Sequence, residues 1–182
     1  MILSDKKIRE VFLSNGWLVP GSLEKSQVQP ASIDLTLGNR FKRIASTDEI
    51  DFDKGVNYID DDLEYIEPRS FILGTTQETI KLPPFIGAMV SGRSSIGRSG
   101  LFVENAGWID PGFKGKITLE LFNASNFPIK KPVGRRICQI IFYELTECCS
   151  NPYGSKSIGS KYQNQDDVQG SLIHLDKEIN DG

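Results

Sequence analysis

The chain has 182 residues, with 21 Lys and Arg against 24 Asp and Glu, and its formal charge of -3 offers no basic field to a nucleic acid. A composition of 38% hydrophobic and 25% charged residues is globular, and no run approaches the ~18 apolar residues of a membrane span or resembles a signal peptide. A soluble, cytoplasmic protein with no membrane partner is expected. Three Cys, two of them adjacent, and one His exclude a disulfide framework, a Ser-His-Asp triad within one chain and a His/Cys zinc deaminase.

A short helix is expected over 5–16, with Ser4 as cap, Leu3 stapled on Ile8, and Gly16 as stop. Ile8, Val11 and Phe12 form its apolar side. The alternation over 32–37 predicts a strand ending at Gly38. Residues 45–67, with nine acidic residues and one Lys, read as a solvated loop. Strand-type runs recur at 70–75, 79–82, 86–90, 100–103, 117–122 and 137–143, too close together for crossover helices, which favours an antiparallel barrel or sandwich. Residues 151–182 are polar and rich in Ser, Gly and Pro, either a frayed end or a segment that closes over something with Tyr153, Lys161, Tyr162 and Gln165.

Two blocks carry chemistry. GRSSIGRSG (92–100) combines small residues, whose amides can face an anion, with Arg93 and Arg98 as fork-shaped phosphate donors; the alternative is a polar turn in solvent. It lacks the G-K-[ST] ending of a Walker loop. In 105–123, Asp110 precedes a Pro-Gly turn that it could simply cap. Ile117, Leu119 and Leu121 then face one way, and Thr118, Glu120 and Phe122 the other. An acid at the centre of such a strand is costly unless paired or hydrogen-bonded, so Glu120 is a salt-bridge partner, a residue of a solvated second face, or a general acid/base whose pKa burial raises.

The loop at 92–100, AGWIDPGFKGKITLE (106–120) and GSKYQNQ (159–165) together resemble the dCTP deaminase branch of the dUTPase superfamily. So do MILSD at the start, QPASIDLTLG (29–38), GRRICQIIF (134–142) and SLIHLD (171–176), covering nearly the whole chain. The resemblance implies a mainly β, distorted jelly-roll-like barrel with a short N-terminal helix over 1–150, and a tail over 151–182 that closes over a triphosphate. It also implies a homotrimer with active sites between subunits, the 92–98 loop coming from one copy and 106–120 from the next.

Matched residue by residue, Glu120 is the carboxylate that activates water at C4 of cytosine and protonates the departing amine. Ser94 orients water and base, and Arg98 lies near base and phosphates. Asp110 holds the 3'-hydroxyl and the water that attacks the α-phosphate. Arg93 and Ser95 belong to the nucleotide-binding loop, backbone groups at Ala106 read the pyrimidine, Ile109 packs on sugar or ring, and Tyr153, Lys161 and Gln165 wrap the triphosphate. Mg2+ is implied on phosphate oxygens without a protein cage.

AGWID resembles the bifunctional members that carry dCTP to dUMP, which makes dCTP and dUTP the expected substrates, and dTTP is a candidate feedback inhibitor. The 17-position spacing from Arg93 to Asp110 resembles trimeric dUTPases instead. A dUTP diphosphatase, a deaminase that releases dUTP and a non-catalytic nucleotide-binding trimer remain alternatives. Cys138 is expected in the core, Trp17 in the core or a subunit contact, Trp108 in the site wall, and His174 in C-terminal packing.

Overall fold

The computed structural model describes residues 1–14, 23–104 and 107–176; the helix stop expected at Gly16 and the packing of Trp17 lie outside them. Helix α1 (Asp5–Ile8) opens the chain and widens into a π turn over Arg9–Ser14. The Ser4 side chain does not cap it. The Asp5 amide donates to the Pro30 carbonyl at 2.8 Å, so a distant turn satisfies one of the first-turn amides that the helix itself leaves unpaired. Ile8, Val11 and Phe12 are buried, and the Phe12 ring meets Phe142 at 4.3 Å between centroids.

The strands of the described residues are β1 (Val28–Gln29), β2 (Ser32–Ile44), β3 (Tyr58–Asp60), β4 (Tyr65–Ile66), β5 (Phe71–Thr76), β6 (Ile80–Lys81), β7 (Ile86–Gly92), β8 (Leu101–Glu104), β9 (Trp108–Ile109), β10 (Lys114–Gly115), β11 (Thr118–Asn123), β12 (Ile129–Lys130) and β13 (Arg136–Glu144). Nine of them form one sheet in the order β8-β11-β5-β2-β13-β7-β9, with β1 and β3 added to β2. Its pairings are antiparallel, as the short connections required.

β2 runs for 13 residues, because Gly38 does not end it. Residues Ile33 to Thr36 pair with β13, Leu37 to Lys42 pair with β5, and the register breaks between Leu37 and Phe41. A Cβ on Gly38 would lie 3.0 Å from the Thr75 carbonyl oxygen, so glycine lets β5 close on β2 where the strand passes from one half of the sheet to the other. Ile33, Leu35, Leu37, Leu121, Ile140 and Phe142 fill the core of this mainly β fold, and all are completely buried. Cys138 is buried in β13 as expected, and burial pushes its thiol pKa up.

The acidic stretch is less solvated than its composition implies. β3 pairs with β2 and β4 with β12. Asp61 is buried, with the Lys131 ammonium 3.4 Å from its Oδ1 and 2.8 Å from its carbonyl oxygen. That ammonium also lies 4.3 Å from the Phe41 ring centroid. In an extended segment the middle residue of Asp60-Asp61-Asp62 turns inward while its neighbours stay exposed.

Candidate active site

β11 presents the alternation read from the sequence: Leu119 and Leu121 are buried, while Thr118, Glu120 and Phe122 are half-buried on the opposite face. Over that second face lies a cavity of 460 Å³. Thr118 and Glu120 line it together with Phe71 and Leu73 of β5, and Trp108, Ile109 and Asp110 line it from β9 and the turn that follows. The tail adds Tyr153, Lys161 and Gln165. Six of the expected site residues, Glu120, Asp110, Ile109, Tyr153, Lys161 and Gln165, thus share one space.

Among the described residues, no ion pair or side-chain hydrogen bond engages the Glu120 carboxylate, which lines the cavity half-buried. Burial holds its pKa above the ordinary value, and the negative charge of Glu104 on β8 adds to the effect. Asp110 differs. It accepts a 2.9 Å hydrogen bond from the Trp108 indole Nε1, so the tryptophan is both cavity wall and orienting donor.

The turn after Asp110 places the tail. Gly112 has φ of +92°, and a Cβ there would lie 2.7 Å from both Pro152 Cβ and the Tyr153 carbonyl oxygen, so the tail crosses where a side chain would block it. The Tyr153 amide donates to the Pro111 carbonyl at 2.8 Å, and its hydroxyl accepts from the Tyr162 amide at 2.9 Å. Gln163 brackets the same turn, donating to the Gly112 carbonyl and accepting from the Lys114 amide. The Gln165 amide nitrogen donates to the Lys116 carbonyl at 2.6 Å, which leaves its Oε1 buried without a partner. Lys161 is held by both oxygens of Asp176 at 2.7 and 2.8 Å, and this contact raises its pKa. The tail's last turn packs on the acidic stretch: a Cβ on Gly55 would lie 2.8 Å from His174 Nδ1, which agrees with a packing role for that histidine.

The arginine-serine loop lies elsewhere. Ser94–Gly97 form a one-turn helix, α2, whose Ile96, Gly97 and Arg98 amides donate to the carbonyls of Arg93 and Ser94. Those three amides are therefore spent inside the turn. Ser94, Ser95 and Arg98 are exposed. Arg93 and Ser94 line a second cavity of 290 Å³ with Gly97, Phe102 and Glu104. Arg93 is aimed from behind by buried Asp34, 3.5 Å from its Nε, and by the Arg136 carbonyl, 3.4 Å from its Nη1. At 3.5 Å the Asp34 contact is a charge contact rather than a hydrogen bond. Within one chain, then, Arg93, Ser94, Ser95 and Arg98 do not reach the Glu120 cavity, and Ala106 lies outside the described residues.

Several wall residues escaped the sequence reading, Phe71, Leu73 and Tyr58 among them. Phe71 and Leu73 reach the cavity because β5 pairs with β11, a contact between distant segments that no local pattern reports. Tyr58 arrives from the acidic stretch, against the tail's Gly170.

A family model described as dCTP deaminase-like matches residues 2–145. The chain belongs to that family. Among the dCTP deaminase-like proteins it resembles, one from Persephonella marina, named "dCTP deaminase, dUMP-forming", is 46% identical over 186 residues and covers 98% of this chain and 100% of its own. One of the same name from Aquifex aeolicus is 45% identical, with 98% of both chains covered. The crystal structure of the 2'-deoxycytidine 5'-triphosphate deaminase from Agrobacterium tumefaciens superposes with a TM-score of 0.60 at 30% identity, over 78% of this chain and 47% of that one.

Proposed function

We propose that the chain converts dCTP to dUMP, deaminating the base and cleaving the triphosphate in one site. The observation that carries this reading is the shared cavity: a half-buried Glu120, unpaired among the described residues, and an oriented Asp110 line the same 460 Å³, in a chain that matches dUMP-forming relatives over nearly its full length.

The two carboxylates suit two reactions. Water adds across the C4–N3 bond of cytosine, and Glu120 carries the water proton to N3. The new C4 hydroxyl then gives up its proton, which Glu120 delivers to the amine; the C4–N bond breaks, ammonia leaves and a C4 carbonyl remains. A carboxylate whose proton affinity is raised suits both transfers near neutral pH. In the second reaction a water held by Asp110 attacks the α-phosphorus, its oxygen bonds there as Asp110 takes one of its protons, and the bond to the bridging oxygen breaks to release pyrophosphate. Lys161 of the tail offsets phosphate charge, and Tyr153 and Gln165 hold the tail across the opening.

The set is completed by a neighbouring copy. Ser94, Ser95 and Arg98 are exposed, Arg93 is half-buried at the second cavity, and all four lie outside the Glu120 cavity, which supports a homotrimer in which one subunit's loop meets the next subunit's Glu120. Ser94 would then orient water and base, and the arginines would meet the phosphates. Mg2+ fits the donor set only as a guest of the substrate. The described residues hold no cluster of three or more metal-ligating side chains, and a magnesium ion is readily held by phosphate oxygens, where it supplies charge neutralisation. The reading is tested by incubating the protein with dCTP and Mg2+ and measuring ammonia and pyrophosphate separately. Both products are expected; ammonia alone would reduce it to a deaminase, and pyrophosphate from dUTP alone to a diphosphatase.

A further inference from the structure

Glu104 ends β8, and its Cα partner across the ladder is Glu120. Directly opposed residues of an antiparallel pair put their side chains on the same face, with Cβ atoms about 4.5–5.5 Å apart, and like charges placed this way destabilise a sheet. On the other side of β11 the partner of Glu120 is Leu73, which offers neither counter-charge nor proton. The other titratable groups around the Glu120 cavity are Asp110, Lys161, Tyr58, Tyr153 and Tyr162. Asp110 is engaged by Trp108, Lys161 by Asp176, and the Tyr153 and Tyr162 hydroxyls accept from backbone amides. Tyr58 is packed against Gly170. Glu104 is thus the charge that the strand ladder itself imposes on Glu120, and its own side chain is exposed at the second cavity.

Resting on the assignment of Glu120 as the proton carrier, we propose that Glu104 is a positioning residue of the deamination step: its negative charge, fixed one strand away, makes Glu120 a stronger base toward the attacking water. The energetic penalty of opposing two acids is offset by function at Glu120. Burial is the larger cause of its raised proton affinity and Glu104 the second, so neutralising Glu104 removes part of the effect and leaves the rest. Water attack needs ionised Glu120, so activity rises with pH as that carboxyl ionises. Without Glu104 the rise comes at lower pH, and the base that results is weaker.

The test uses the full chain, Glu104→Gln and Glu104→Asp, with two readouts: the pH profile of ammonia release from dCTP, and the titration of the Glu120 carboxyl carbon by 13C NMR without nucleotide. In Glu104→Gln both the NMR midpoint and the acidic limb of the profile should move to lower pH. The plateau should fall roughly two- to tenfold, a small share of the ~10²–10⁴ that general acid–base catalysis contributes. Glu104→Asp, which keeps the charge, should stay near the parent. A Glu120 midpoint unmoved in folded Glu104→Gln, or equal shifts in both variants, would overturn the proposal. Glu120→Gln separates the two assignments. If it still releases ammonia, the role of Glu120 falls; if it is silent while Glu104→Gln keeps the parent profile, only the role of Glu104 falls.

Discussion

The Trp108 indole holds Asp110 by one oxygen, at 2.9 Å, from a ring that is itself wedged between Tyr143, 5.9 Å away between centroids, and the backbone of Gly87. A Cβ on Gly87 would lie 2.6 Å from the indole, so the orientation of the carboxylate depends on a missing side chain on the neighbouring strand.

Trp108→Phe removes the donor and keeps most of the wall. Pyrophosphate release from dUTP should fall roughly ten- to hundredfold, in line with one hydrogen bond to a charged carboxylate of ~1.5–3 kcal/mol, while ammonia release changes less. Gly87→Ala, which crowds the same ring, should move in the same direction. Asp110→Asn should cut pyrophosphate release at least ~10²-fold, and steady-state assays of the two products read all three variants.

Glu120→Gln should abolish ammonia release from dCTP and retain measurable cleavage of dUTP. Equal loss of both would make Glu120 an architectural residue.

The same substitution carries a pH-dependent stability signature. In the folded state burial and Glu104 raise the Glu120 pKa above its unfolded value, so the native state loses stability as pH rises and that carboxyl ionises. Glu120→Gln removes this loss. Thermal unfolding midpoints of parent and variant should coincide at acid pH, where both side chains are neutral, then separate in favour of the variant as pH climbs through the carboxylate range, and level off above it.

Lys131→Ala should be the most damaging change outside the cavity. It leaves the buried Asp61 carboxylate without its ammonium and also removes the contact with Phe41, at an expected cost of about 3–5 kcal/mol in denaturant unfolding. Asp61→Asn together with Lys131→Met should recover most of it.

The legible and illegible parts of this molecule divide along sequence distance. The alternation around Glu120, the buried face of Phe12 and the core position of Cys138 all follow from neighbours within a turn or a strand, and each was foreseeable. Gly38 reads as a stop because it is a glycine after a strand; it lies inside β2, and only the close approach of β5 explains the missing side chain. Asp61 was hidden among acids because composition averages over residues that an extended backbone sends to opposite sides. In the cavity, Asp110, Ile109, Tyr153, Lys161 and Gln165 were assigned through family resemblance, whereas Phe71, Leu73 and Tyr58 depend on pairings between segments far apart in the chain.

A chain ending at Ser150 tests the tail. Its sheet should remain folded by circular dichroism, since the contiguous core cluster ends at Phe142 and, of the buried apolar residues described, Val168 alone lies beyond the cut. Turnover of dCTP should collapse with loss of Lys161, Tyr153 and Gln165 from the cavity. Lys161→Ala in the full chain should raise KM for dCTP more than it lowers kcat.

One ribbon of backbone, β2, is stitched to β13 along its first part and to β5 along its second. Neither sheet half can peel away without tearing the strand that the other depends on. Amide hydrogens on both sides of Gly38 should therefore exchange with deuterium at a common slow rate set by whole-molecule opening, and the walls that carry Glu120 and Arg93 should melt as a single cooperative unit.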